Sequence, residues 1–146
     1  VLAAGAPAND GVAGSQTRIG TTRVFRLTNS NWTQVGANID GEEQSDESGL
    51  FIDLSADGSI LAVSALGNSG LASASRGHVR IYQNINNQWI QAALDVDGTG
   101  NLEDFGASVS LSRGGDVLAA GAPRADPNGS SSGLVRIYDV ALTDQG

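Results

Sequence analysis

Apolar residues in this chain come in short runs of about four to seven, set apart by clusters of Gly, Asn, Asp and Ser. No stretch sustains the three-and-four spacing of an amphipathic helix. The pattern predicts an all-β chain. In its central part the runs place four strands, at residues 50–55, 60–65, 78–82 and 88–94. The second of these is almost wholly Ala, Val, Leu and Ile, without polar alternation, as a strand covered on both faces requires. The third reads Val-Arg-Ile-Tyr at 79–82, and the same four residues return at 135–138.

The runs repeat. Val-Leu-Ala-Ala-Gly-Ala-Pro occupies 1–7 and again 117–123, with a degraded copy at 60–66, so the steps are 59 and 57 residues. Trp32 and Trp89, Asp40-Gly41 and Asp97-Gly98, and Leu54-Ser55 and Leu111-Ser112 each lie 57 apart, and Val24, Val79 and Val135 step by 55 and 56. A unit of this length with four short strands corresponds to one β-propeller blade of four antiparallel strands. The chain then holds about two and a half repeats. Residues 1–36 form a partial blade (strands 2–4), 37–94 a complete blade, and 95–146 a partial blade (strands 1–3). The expectation is ten strands in sheets of three, four and three, an incomplete ring. Since blades bury their faces against one another, and the chain begins without Met inside an apolar strand pattern, it is expected to be completed by neighbouring blades, from a longer polypeptide or from other subunits.

The connections divide into two sets. Residues 56–59 and 113–116, and also 28–31 and 84–87, are short and rich in Gly, Asn and Asp, as hairpin turns require. The connections at 8–21, 67–77 and 124–133 are longer, and those at 37–49 and 95–106 hold most of the acid. In an up-and-down blade both long sets emerge at one face, which is where binding is expected. Asp10, Arg18, Asp46, Asp104, Arg124 and Asp126 are its candidate binding residues. Arg80 and Arg136 on the third strands are expected to snorkel between blades. Trp32 and Trp89 are expected to pack on the outer strands.

Phe105-Gly106 followed by Gly121-Ala122-Pro123 resembles the FG-GAP repeat of the amino-terminal propeller of integrin α subunits, and the related repeats of secreted bacterial and algal proteins. The likeness spans essentially the whole chain, though the middle unit has Ser48-Gly49 and Ser64-Ala65-Leu66, and the first unit only Gly5-Ala6-Pro7. The resemblance implies an extracellular or cell-surface, non-catalytic, adhesion-type module that binds protein or glycan through its long-loop face. Its alternatives are a structural subunit of a larger extracellular assembly, or a propeller appended to a secreted hydrolase. Many blades of this family carry an Asp-x-Asp-x-Asp-Gly calcium loop in the first hairpin. Here that hairpin is only 55–59 or 112–116 and lacks the ligands, so the family's calcium site does not carry over.

Charge narrows the partners. Sixteen acidic residues against eight basic ones give a net charge of −8 and a pI near 4.3, which argues against nucleic acid. All eight cations are Arg. There is no Cys, hence no disulfide or thiolate chemistry. No apolar run approaches the roughly 20 residues that cross a bilayer as a helix, so membrane insertion is not expected. The acids gather at Asp40, Glu42, Glu43, Asp46 and Glu47, and at Asp95, Asp97, Glu103 and Asp104. Asp95-Val96-Asp97-Gly98 is the fragment nearest to a Ca²⁺ site, but without a third near ligand or a bidentate Glu it reads as a solvated turn. No cofactor is expected, and any Ca²⁺ would sit at Asp95 and Asp97. His78, the sole His, aligns with Arg23 and Leu134 and reads as an ordinary exposed position. With no Cys or Lys either, no catalytic residue is assigned. Asn31-Trp32-Thr33 and Asn128-Gly129-Ser130 are N-glycosylation sequons, with Asn31 and Asn128 as possible acceptors.

Overall fold

A computed structural model describes residues 1–11, 17–68, 75–92 and 94–140. The central parts of two long connections (12–16 and 69–74), position 93 in the expected strand at 88–94, and 141–146 of the third unit lie outside the described residues. Those described form twelve strands in three antiparallel sheets, with no helix among them. The first sheet contains β1 (Leu2–Ala6), β2 (Thr21–Thr28), β3 (Asn31–Gln34) and β4 (Ile39–Asp40), in the order β1-β2-β3 with β4 also on β2. The second contains β5 (Ile52–Leu54), β6 (Ile60–Ala65), β7 (His78–Ile85), β8 (Gln88–Gln91) and β9 (Val96–Asp97), in the order β5-β6-β7-β8 with β9 also on β7. The third is β10 (Ser108–Leu111), β11 (Val117–Ala122) and β12 (Leu134–Asp139), in that order.

Two strands exceed the ten expected. β3 pairs with the second half of β2, from Phe25↔Gln34 to Thr28↔Asn31, and β4 then returns to the first half, at Thr21↔Asp40 and Thr22↔Ile39. β8 and β9 repeat this arrangement on β7, ending at His78↔Asp97 and Val79↔Val96. One long strand thus carries two short partners in succession, and the first two sheets run past the unit boundaries at 36/37 and 94/95 that the pattern suggested.

Register also corrects the alignment of the units. Thr22, Val79 and Val135 sit opposite Gly5, Ser64 and Gly121, whereas Arg23, Arg80 and Arg136 sit opposite Ala4, Val63 and Ala120. Val24 therefore corresponds to Ile81 and Ile137, and His78 corresponds to Thr21 rather than Arg23. Loop hydrogen bonds follow the same equivalence. Gly41 N–H donates to Gly20 O as Gly98 N–H does to Gly77 O, at 3.0 and 2.9 Å, and Gly49 and Gly106 donate to Ser64 O and Gly121 O, each at 2.9 Å.

The core lies between sheets. β6 is buried at every position, and its side chains alternate between two clusters. Ile60 and Ala62, with Val79 and Ile81 of β7, pack on Phe105, Leu118, Ala120 and Ala122 toward the third sheet. Leu61, Val63 and Tyr82 pack on Val24 and Ile39 of the first sheet. β1, whose sequence is nearly that of β11, is mostly exposed because no sheet covers its outer side among the described residues. Small side chains on β6 and β11 let the sheets approach closely, and backbone comes nearer still at Gly77. Its φ is +77°, and a Cβ there would lie 2.1 Å from Phe105 O. No other residue fits that contact.

Phe105, fully buried between the second and third sheets, has the polar Ser48 as its counterpart in the preceding junction. Phe105→Ala is expected to lower stability by about 3–5 kcal/mol in urea unfolding. A loss below about 1 kcal/mol would mean that the junction does not depend on the ring.

Candidate functional site

The acid-rich connections are built around two buried carboxylates. Asp46 Oδ2 accepts the backbone N–H groups of Glu42 and Glu43 at 2.9 and 3.0 Å, and its Oδ1 accepts Asn68 Nδ2 at 3.1 Å. One unit later, Glu103 Oε1 accepts Thr99 N–H at 2.6 Å and pairs with Arg136 Nη1 at 3.2 Å. Both acids are buried. Asp46 is thus not the surface contact expected of it: its carboxylate satisfies turn amides that burial would otherwise leave without partners.

The third-strand arginines meet these connections at each junction. Arg80 is buried, forms an ion pair with Glu42, and reaches Asp95 through Nε–Oδ1 at 3.2 Å and Nη2–Oδ2 at 3.5 Å. Arg136 bonds Glu103 and the Thr99 hydroxyl, and its guanidinium lies 5.3 Å from the centre of the Phe105 ring. Both therefore act as ion-paired links between a sheet and the connection that precedes it, beyond the snorkelling expected. Arg23, their counterpart in the first sheet, is exposed.

His78 overturns its expectation as an exposed position. It is 3 % exposed, with Nδ1 3.9 Å from Asp95 Oδ2. Burial pushes its pKa below the usual 6.5, against the opposing fields of Asp95, Asp46 and Asp97. Glu42, His78 and Asp95 bring potential ligand atoms within 4.8 Å of one another. The Arg80 guanidinium, however, already engages both carboxylates, and Asp95 Oδ1 also accepts Gln91 Nε2 at 2.6 Å. The structure gathers Asp95 with Glu42 and His78; Asp97 stands outside that group, exposed on β9.

The remaining candidates lie in two groups, each with an exposed Arg paired to a half-buried acid. Arg18 Nη2 pairs with Glu47 Oε1 at 2.7 Å, and Arg18 N–H donates to Asp10 Oδ1 at 2.9 Å. At the next junction Arg124 Nε pairs with Asp104 Oδ2 at 3.2 Å, and Asp126 accepts Ser131 N–H. Glu47 was missed by the sequence reading, although it precedes Asp104 by the same step of 57. Both acids hold φ of +54°, a left-handed conformation that non-glycine residues adopt where surrounding contacts impose it. Asn31, opening β3, and Asn128 are exposed.

The hairpin carboxylates serve their own turns. Asp57 Oδ1 accepts Ser55 Oγ at 2.7 Å and Ser59 N–H at 3.0 Å, and Asp116 Oδ1 accepts Ser112 Oγ at 2.5 Å. The serine hydroxyls, first among these bonds, lower both carboxyl pKa values below the usual 3.8. Comparison with models of known protein families found no match, and no curated protein matches the chain. Among the described residues no helix is long and apolar enough to cross a membrane.

Two outcomes are expected. Asp46→Ala removes the acceptor of the Glu42 and Glu43 turn amides and should cost about 1–3 kcal/mol, whereas Asp10→Ala at the surface should stay within about 0.5 kcal/mol, both read from urea unfolding. The depressed pKa of His78 means that the unfolded chain binds its proton more readily. Its contribution should therefore fall as pH drops through 6.5 toward the folded-state pKa and be restored above 6.5. Thermal unfolding between pH 7.5 and 5.5 should show this loss in the wild type and not in His78→Leu, the residue found at position 134. Equal slopes in the two proteins would remove His78 as the cause.

Proposed function

We propose that the chain is a non-catalytic interaction module, extracellular or at the cell surface, built as FG-GAP-type propeller blades, and that it contacts protein or glycan through the face carrying its long connections. The observation that carries this reading is the pair of Arg–carboxylate contacts, Arg18–Glu47 and Arg124–Asp104, each an exposed Arg on a half-buried acid, held at successive junctions with their acids in the same backbone conformation. Each rests on a connection clasped from within by a buried acid, Asp46 or Glu103. Charges presented from clasped connections at two successive junctions suit a wide contact better than a single buried reaction centre. The burial of the only His and the engagement of its carboxylate neighbours by Arg80 favour binding over turnover.

Capture from extracellular matrix material, together with a glycan array, tests the reading. Asp104→Ala combined with Arg124→Ala should reduce recovery of the bound species about three- to tenfold, equivalent to about 0.7–1.4 kcal/mol, while the fold survives. Equal recovery by both proteins, or loss only when the hairpins at 56–59 and 113–116 are changed, would place binding elsewhere.

A further inference from the structure

The first two sheets leave a groove between β3 and β8, their edge strands, and its lining differs from the rest of the chain. A cavity of about 470 Å³ lies between the β3–β4 connection and the β7–β8 hairpin, with Ile39, Trp89 and Ile90 as its apolar part and Asn38, Asn86 and Gln88 among its polar part. A second, of about 240 Å³, continues it past Gly36 and Asn87, which line both, to Arg26. No carboxylate lines either cavity, although acids outnumber bases sixteen to eight in the chain. Arg26 is the one charged residue of the two linings, and Nη1 donates to a neutral acceptor, Asn87 Oδ1, at 3.0 Å.

Contacts across the groove fix its shape. Trp89 donates Nε1–H to Val35 O at 3.1 Å, and the Arg26–Asn87 bond spans the same two sheets. Gly36 has φ of +76°, and a Cβ there would lie 3.1 Å from the indole Cδ1 and 3.0 Å from Asn87 O. A side chain at this point would crowd the groove where its two parts meet.

An indole beside aliphatic side chains suits the C–H face of a pyranose ring, and side-chain amides, which both donate and accept, suit its hydroxyls. A wholly apolar ligand would desolvate those amides without pairing them, and a hard metal cation would find no carboxylate. A guanidinium adds a fork that pairs carboxylate oxygens. We infer that the groove binds an acidic oligosaccharide, with a neutral pyranose seated against Trp89 and the carboxylate of a neighbouring uronic acid paired with Arg26. None of the residues proposed above for the long-connection face lines this groove, so the inference stands apart from that reading.

NMR titration of the isotope-labelled chain with hyaluronan tetrasaccharide, which alternates N-acetylglucosamine with glucuronic acid, and with neutral chitotetraose tests it. The chain has two Trp, so two indole Nε1–H signals report, and Trp32, which lines neither cavity, is the control. The Trp89 signal should shift saturably with the hyaluronan fragment, at a Kd of about 0.1–1 mM, while that of Trp32 stays in place. Chitotetraose should bind about three- to tenfold more weakly, and Arg26→Gln should abolish the difference. Asn86→Gly combined with Gln88→Ala removes two exposed amides and keeps the turn, because glycine accepts the φ of +53° at 86. It should weaken both sugars about tenfold. Asp104→Ala with Arg124→Ala should bind the hyaluronan fragment as the wild type does. No Trp89 shift with either sugar at about 5 mM, or a preference for the acidic sugar that is absent or survives Arg26→Gln, would overturn the inference. Loss of binding only in the Asp104 and Arg124 variant would overturn it as well, and would move saccharide binding to the long-connection face.

Discussion

The structure depends on the contact between the face of one narrow sheet and the face of the next. A sheet of three to five short strands has too little of its own to cover either side, so its stability comes from neighbours stacked on it. β6 shows the consequence: all six of its residues are buried, with successive side chains serving opposite junctions. Ala62 on β6 and Ala120 and Ala122 on β11 leave room for close approach, and the rest of the contact is filled by Ile81, Leu118 and the Phe105 ring on one side, and by Leu61, Tyr82 and Val24 on the other. β1 carries nearly the same sequence as β11 and is exposed, which separates what the strand sequence specifies from what its neighbours supply.

Charge serves the same stacking. The carboxylates of Asp46 and Glu103 are buried because each replaces solvent for the amides of a tight connection, and Arg80 and Arg136 then join the sheets to those connections. This gives the arginine bias of the chain a partial physical reason. Arg80 uses its Nε and Nη2 together on Asp95 while pairing with Glu42, and Arg136 combines two polar partners with the face of Phe105. A lysine ammonium, a compact point charge without a planar fork, has no second nitrogen with which to engage both oxygens of Asp95 as Arg80 does.

The repeat and the long strands were legible because stacking leaves a direct trace in sequence: small apolar residues at a fixed step, and turn residues between them. What escaped had weak local signals. β4 and β9 are two residues each, set among acids, and their pairing comes from the long strands beside them, not from their own pattern. Missing β9 also hid the burial of His78, whose backbone is paired on one side with Ala65 and on the other with Asp97. The first unit was offset because Thr22 occupies the place of Val79 and Val135; a β-branched side chain of the same shape is read as polar, and the next valine, Val24, was aligned instead. Within the acid clusters, composition alone did not distinguish the clasps Asp46 and Glu103 from the surface partners Glu47 and Asp104. Only their common step of 57 residues marks both pairs.

Adjacent residues in these clusters do opposite work, and that alternation is what prepares the loop surface. Asp46 turns inward and fixes the connection, while Glu47, next along the chain with φ of +54°, turns to the exposed Arg18; Glu103 and Asp104 repeat the division one unit later. A surface ion pair contributes little stability by itself, so neither Arg18 nor Arg124 is needed to hold the fold. Their carboxylate partners, however, are already ordered by the inward clasp. A ligand that engages them has less loop entropy to overcome than it would with carboxylates on an unclasped connection, and the same buried acids that let the sheets stack thereby hold the outward charges in position.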